Sequence, residues 1–112
     1  MLDKLKKIFQ AKENNLTKGV CKTTDIVLGS SKVVSYNNEE IAIFNIDNKF
    51  YAISNVCSHR GGPLAEGNCE GKIVTCPWHM WKFDVTTGKC TMNDTKVKKY
   101  EIQITNGEVF IK

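Results

Sequence analysis

Two short cysteine–histidine segments carry the chemistry that this sequence can support. The first is Cys57-Ser58-His59, and the second, Cys76-Pro77-Trp78-His79, follows after sixteen residues. In each segment a thiol and an imidazole stand two or three residues apart, a spacing that a loop or tight turn can bring together. Two thiolates and two imidazoles make a complete set of protein ligands for a metal centre. Both histidines of the sequence fall within this pattern.

The residues around the ligands predict two tightly shaped loops. Gly61 and Gly62 follow the first segment and permit positive φ or close approach of the backbone to a bound group. Pro63 and Pro77 stiffen the two loops. Backbone N–H groups left free in such loops can donate to the sulfurs of a negatively charged centre and stabilise it without nearby positive side chains.

A structural zinc site is the main alternative that the four ligands leave open. Zinc is also held by two cysteines and two histidines in many small domains. Zinc fingers, however, usually pair Cys with Cys and His with His. Here each segment mixes one of each, which disfavours zinc, so a zinc-stabilised binding module is kept as the weaker alternative.

The pattern resembles the Rieske signature, and the surrounding sequence is similar to the low-potential Rieske-type [2Fe–2S] ferredoxins of bacterial dioxygenases. The likeness covers about residues 20–112, including the segments 50–56, 62–67 and 81–88. It implies that Cys57 and Cys76 hold one iron of a Rieske [2Fe–2S] cluster, while His59 and His79 hold the other. One departure is Met80, which stands where this family usually has glycine.

The resemblance also indicates the class of Rieske centre. High-potential members have a disulfide between the ligand loops, but the matching positions here are Gly62 and Trp78. They also place serine and tyrosine hydroxyls against the cluster, where this chain has Trp81 and Phe83. Because hydrogen bonds to the sulfurs favour the reduced cluster, we expect a reduction potential near the lower end of the Rieske range, roughly −150 mV.

Length and cysteine content indicate one domain in a reducing compartment. The chain has 112 residues and five cysteines, of which Cys21, Cys69 and Cys90 are not candidate ligands. No secretory hydrophobic segment is present, so we expect a cytoplasmic protein in which these three thiols are reduced. No stretch approaches the roughly 20 apolar residues of a spanning helix, so no stable membrane insertion is expected.

The net charge gives no reason to expect a nucleic-acid partner. The formal charge is +4, but residues 1–20 contain five lysines against Asp3 and Glu13. Residues 21–112 are therefore nearly neutral. They contain no basic stripe interleaved with aromatic residues, the usual footprint of a nucleic-acid surface.

The order of apolar and turn residues predicts an all-β domain. Residues 1–15 form a Lys-rich N-terminal extension, whose apolar spacing allows a short helix, and residues 16–112 form the Rieske domain. Residues 41–46 and 49–53 predict a hairpin around Asp47-Asn48, and Asn106-Gly107 predicts a second. The resemblance implies a Rieske fold of stacked antiparallel sheets, with a cluster-binding tip formed by two loops.

The expected function is one-electron transfer. The resemblance implies a carrier that takes electrons from a flavin reductase and passes them to a terminal oxygenase or reductase. The alternative is a tightly bound subunit of a larger redox enzyme, similar to the small subunit of nitrite reductase. We expect no enzyme activity of its own, because a Rieske oxygenase also needs a mononuclear iron site with two more histidines, and this sequence has none left.

Overall fold

The computed structural model describes residues 19–112, so the predicted N-terminal extension, residues 1–15, lies outside the described residues. Within residues 19–112 the chain forms ten short strands and two single-turn 3-10 helices, Thr23–Asp25 and Leu64–Glu66. The strands are β1 (Cys21–Lys22), β2 (Ser31–Tyr36), β3 (Glu39–Ile46), β4 (Lys49–Ser54), β5 (Asn68–Glu70), β6 (Ile73–Thr75), β7 (Lys82–Asp84), β8 (Lys99–Tyr100), β9 (Ile102–Thr105) and β10 (Glu108–Ile111).

Three antiparallel sheets make up the domain, which confirms the prediction of an all-β fold. The first sheet has the order β1-β10-β9, the second β2-β3-β4-β8, and the third β5-β6-β7. In the part of the chain that the structure describes, no helix has the length and hydropathy needed to span a bilayer.

The four-stranded sheet is the middle layer, because successive residues of β3 enter two different cores. Ala42 and Phe44 pack with residues of β6 and β7 in one core, whereas Ile41 and Ile43 pack with residues of β10 in the other. Side chains alternate across a strand, so a strand covered on both faces needs apolar residues at successive positions. This explains the continuous apolar run of β3, residues 41–44, all of which are buried.

The tight turns follow from their residue types. Asp47 and Asn48 join β3 to β4 with φ values of 54° and 67°, and Asn106 and Gly107 join β9 to β10 with φ values of 51° and 78°. Two-residue hairpin turns need positive φ, which Asn, Asp and Gly tolerate best. Both predicted hairpins are therefore confirmed.

Strands β1, β2 and β5 were not located from the sequence, and the segment of β5 was expected to be part of a turn. In β2 only Val34 is buried, so the strand lacks the alternating apolar pattern by which a half-buried strand is recognised. The turn that connects it to β3, Asn37-Asn38, has φ values of 52° and 65° and was the one available signal. Strand β1 has two residues and is held by pairing with β10.

Candidate metal centre

The first ligand loop, residues 57–62, leaves the end of β4 and is closed by its own backbone. The N–H of Cys57 donates to the carbonyl of Gly62 at 2.9 Å, and the N–H of Gly61 donates to the carbonyl of Cys57 at 2.8 Å. Gly61 has a φ of 79°, a conformation that glycine adopts without steric cost. Val56 and Pro63 then form an antiparallel bridge beneath the loop.

The second ligand loop, residues 76–81, connects β6 to β7 and repeats this closure. The N–H of Cys76 donates to the carbonyl of Trp81 at 2.7 Å, and Thr75 pairs with Lys82 in the flanking strands. In both loops, therefore, the N–H of the cysteine bonds the carbonyl five residues later. Each loop is fixed by main-chain bonds, which leaves its side chains free for chemistry.

The two cysteines meet where the loops touch. Cys57 and Cys76 are 3% and 0% exposed, and both belong to the same buried core cluster. The N–H of Trp78 donates to Cys76 Sγ at 3.4 Å, which is the kind of backbone donor predicted for these loops. A Cβ atom on Gly62 would lie 2.7 Å from Cys76 Sγ and 3.0 Å from Cγ of Trp78, so only glycine permits this contact between the loops.

The two histidines form a second pair nearer the surface. The imidazole centroids of His59 and His79 are 5.0 Å apart, with an interplanar angle of 80°. The indole of Trp81 stacks on His59, with centroids 4.2 Å apart and an interplanar angle of 5°. His79 is exposed, whereas His59 is half-buried.

One atom in this pair has no partner. Among residues 19–112, Nδ1 of His59 is the only buried side-chain nitrogen or oxygen without a hydrogen bond. A buried polar atom without a partner costs free energy. A metal ion bound at this atom would remove that cost, because a neutral imidazole nitrogen is a metal ligand.

His59 and Cys76 each have a shifted pKa. Burial, the adjacent His79 and the Arg60 guanidinium hold the pKa of His59 below its usual range, so this ring is neutral at pH 7 and its lone pair is available. Burial raises the pKa of the Cys76 thiol, and the neighbouring Cys57 thiol raises it further, against the opposing N–H of Trp78. Metal binding must therefore drive the deprotonation of Cys76.

The four donors stand as two pairs rather than around one point. Within residues 19–112, no group of three or more His, Cys, Asp or Glu side chains is gathered closely enough to hold a single metal ion. A tetrahedral zinc ion takes four ligands at about 2.0–2.3 Å. A Rieske cluster instead takes one sulfur pair and one nitrogen pair, for which the two loops offer the buried thiols of Cys57 and Cys76 and the neighbouring imidazoles of His59 and His79.

Asn55 supports the first loop, and the sequence analysis did not assign it a role. Its side-chain oxygen accepts from the N–H of Ala65 at 2.7 Å, and its side-chain nitrogen donates to Glu40 at 3.2 Å. Its backbone carbonyl accepts from the N–H of Leu64 at 2.9 Å. Asn55 is 4% exposed. In the sequence the available signal was only an asparagine two residues before a candidate ligand; its burial, which requires hydrogen-bond partners, is seen in the structure.

Comparison with known proteins decides the family. Residues 17–103 match the family model described as the Rieske [2Fe-2S] domain. The chain belongs to the Rieske family. Its cofactor is a Rieske-type [2Fe–2S] cluster, and its function is one-electron transfer. The zinc alternative is therefore wrong.

Relatives of this Rieske protein are ferredoxin components. The chain is 37% identical over 90 residues to the ferredoxin component of the naphthalene 1,2-dioxygenase/salicylate 5-hydroxylase systems of Ralstonia sp., covering 79% of this chain and 86% of the relative. Its fold matches the Sphingomonas yanoikuyae B1 ferredoxin with a TM-score of 0.78 and 27% identity, over 84% and 95% of the two chains. A match with a TM-score of 0.77 and 27% identity, over 84% and 99%, is found in a complex of reduced oxygenase and oxidised ferredoxin in carbazole 1,9a-dioxygenase.

The structure also locates the positions from which the low-potential class is predicted. Gly62 and Trp78, which replace the two cysteines of the high-potential disulfide, lie next to each other across the loops. Phe83 is fully buried in the core that also contains both cysteine ligand candidates. Met80 has a φ of 60°, so the backbone keeps the left-handed conformation of a glycine position although methionine adopts it at a cost. The other three cysteines, Cys21, Cys69 and Cys90, are free thiols.

Proposed function

We propose that Cys57 and Cys76 bind one iron of the Rieske cluster, that His59 and His79 bind the other, and that the chain carries single electrons from a flavin reductase to a terminal oxygenase. The unpartnered Nδ1 of His59, beside His79 and in the same two loops as the buried cysteines, is the observation that carries this assignment. When bound, the cluster supplies reversible one-electron chemistry. The protein supplies the ligands, the burial and the donors to sulfur.

The arrangement gives the two ligand pairs different tasks. The buried Cys57 and Cys76 exclude water from the sulfur side, and the Trp78 N–H donates to sulfur there. The histidine pair faces the surface, with His79 exposed. A partner can therefore approach the histidine side closely, and electrons enter and leave the protein there.

The relatives support the choice of partners. They are named as ferredoxin components of dioxygenase systems, and one structural neighbour is part of a complex with an oxygenase. We therefore propose a terminal oxygenase as the acceptor of this chain, or failing that a terminal reductase, and a flavin reductase as the donor. A tightly bound subunit of a larger redox enzyme stays the alternative prediction, and co-purification with a stoichiometric partner would favour it.

We further propose that this chain has no catalytic site of its own. Its two histidines are both assigned to the cluster, which leaves none for a mononuclear iron site of two histidines and a carboxylate. A cytoplasmic location and a Rieske domain that begins near residue 16 likewise remain predictions.

The ligand assignment is tested by metal analysis and electron paramagnetic resonance of anaerobically purified protein. We expect two irons and two sulfides per chain, with the reduced-state signal of mixed Cys/His ligation. Cys76→Ser, His59→Ala and His79→Ala should each abolish that signal and lower stability, because metal-binding energy is part of folding energy in such sites. Cys69→Ser is the matched control, since Cys69 is a free thiol outside the two loops, and it should keep the full signal. A native spectrum in any of the three ligand variants would refute the assignment of that residue.

A further inference from the structure

The two histidines of the candidate centre are not equivalent. Trp81 lies face to face with His59 at a centroid distance of 4.2 Å, and its indole is itself partly buried against the core that contains Cys57 and Cys76. Among residues 19–112, no aromatic ring stacks in this way on His79, which meets His59 edge to face and is exposed. Since the carbonyl of Trp81 closes the second loop through Cys76, the backbone of the covering residue is held in place.

The surroundings of His79 are different in kind. Its neighbours in sequence, Trp78 and Met80, are 50% and 62% exposed, so an exposed apolar side chain precedes and follows this imidazole along the chain. His79 and Met80 also have φ values of 68° and 60°. Two successive non-glycine residues in the left-handed region are costly, and such strain persists at sites where function depends on the conformation.

We propose that Trp81 is a positioning residue that covers His59 and makes His79 the contact through which electrons pass to and from partners. This inference rests on the proposed ligand assignment. In the step itself, one electron passes from the reduced cluster to a one-electron oxidant, and no bond is formed or broken. The indole keeps a partner away from the face of His59, whereas a partner that contacts Trp78 and Met80 meets His79 directly.

The proposal is tested by chemical labelling of the oxidised, cluster-loaded protein with diethyl pyrocarbonate. This reagent transfers an ethoxycarbonyl group to an accessible imidazole nitrogen and releases ethanol and carbon dioxide. Peptide mapping then gives the separate labelling rates of His59 and His79. We expect His79 to be labelled clearly faster than His59 in the wild-type protein, and Trp81→Ala to remove that difference.

Two further variants make the result specific. Trp78→Ala removes an indole from the same loop that does not stack on His59, so it should leave His59 protected. Trp81→Phe retains an aromatic ring over His59 and should restore most of the protection that Trp81→Ala loses. Equal labelling of the two histidines in wild-type protein, or a Trp81→Ala variant in which His59 stays protected, would overturn the proposal.

The oxidation rate is a second measurement. It distinguishes the covering of His59 by Trp81 from a purely structural role, because loss of a purely structural residue would not make oxidation faster. Stopped-flow oxidation by hexacyanoferrate should be faster for Trp81→Ala than for wild type at matched driving force, because a second histidine becomes accessible. Midpoint potentials measured for each variant provide the correction for driving force.

Iron, sulfide and the reduced-state resonance are measured on the same samples. Loss of the cluster signal in wild type would refute the ligand assignment, whereas an intact cluster with equal labelling refutes only the role of Trp81.

Discussion

Gly62 and Cys76 are in such close contact that a single added carbon would separate the two ligand loops. A Cβ atom at position 62 would lie 2.7 Å from Cys76 Sγ, well inside ordinary van der Waals separation. We expect Gly62→Ala to displace Cys76, so that less cluster is incorporated during anaerobic reconstitution. The measurement is the ratio of visible absorbance to protein, checked by iron analysis.

The control for this substitution is Gly71→Asn in the turn between β5 and β6. Gly71 has a φ of 61° and nothing within 4 Å of an added Cβ, and asparagine tolerates this conformation. The Gly71→Asn variant should bind a full complement of cluster. Full incorporation in Gly62→Ala as well would show that the loops can separate without losing the site.

The missing hydroxyl donors predict a low potential that can be raised. Phe83 is fully buried among the residues that pack around both cysteines, so a tyrosine hydroxyl at this position is shielded from water. A hydroxyl that donates to a cluster or ligand sulfur stabilises the reduced state, so Phe83→Tyr and Trp81→Ser should raise the potential. Phe50→Tyr is the control, because Phe50 packs against the other core. Protein-film voltammetry measures the reduction potential of each protein. A wild-type potential above about +100 mV contradicts the low-potential class.

Substitutions in the core beneath the first loop should lower the free energy of unfolding far more than substitutions on the surface. Leu64 is 0% exposed and follows the loop directly, whereas Leu28 is 60% exposed. Leu64→Ala should lower the free energy of unfolding by about 2–5 kcal/mol, because it removes buried methyl groups and leaves a cavity. Leu28→Ala should change it by no more than about 0.5 kcal/mol. Urea denaturation of the reduced protein measures both, and similar values for the two variants would be inconsistent with this packing.

The hydrogen bond between Tyr100 and Glu39 should make the stability of the fold decrease at both high and low pH. The Tyr100 hydroxyl donates to the Glu39 carboxylate, joining β8 to the start of β3. Burial and this carboxylate raise the pKa of Tyr100 to about 12. The same hydrogen bond, helped by Lys98, holds the pKa of Glu39 below its usual range.

The sign of each effect follows from the direction of the pKa shift. The contribution of Tyr100 to folding stability is complete below the pKa of tyrosine in the unfolded chain, about 10. It is lost as the pH rises toward 12. The glutamate contribution is complete above its unfolded pKa of about 4.3 and is lost as the pH falls further. Tyr100→Phe should flatten the dependence of the melting temperature on pH at both ends. A variant whose profile stays parallel to that of wild type would show that the pair contributes nothing to stability.

Much of this molecule could be predicted from sequence because its signals are local. The spacing within residues 57–59 and 76–79 located the candidate ligands, and the turn residues Asp47-Asn48 located the central hairpin. Strand β2 was missed because only Val34 is buried in it, and its position is fixed by pairing with β3.

The contacts between the loops were beyond sequence reasoning for a different reason. The stacking of Trp81 on His59 joins residues of two separate loops, and its geometry depends on where the three sheets place those loops. In the sequence, Trp81 indicates the subclass through a missing hydroxyl. Its contact with one particular histidine required the three-dimensional arrangement.

The matching closures of the two loops have a consequence for how this protein can diversify. Cys57 and Cys76 are positioned by bonds from their own N–H groups to Gly62 and Trp81 carbonyls, so no side chain between the ligands is needed to hold the loop shape. Ser58 and Trp78 are exposed between those ligands. Mutations at such positions can change which partner is recognised while cluster assembly continues, so a lineage can exchange redox partners one surface residue at a time.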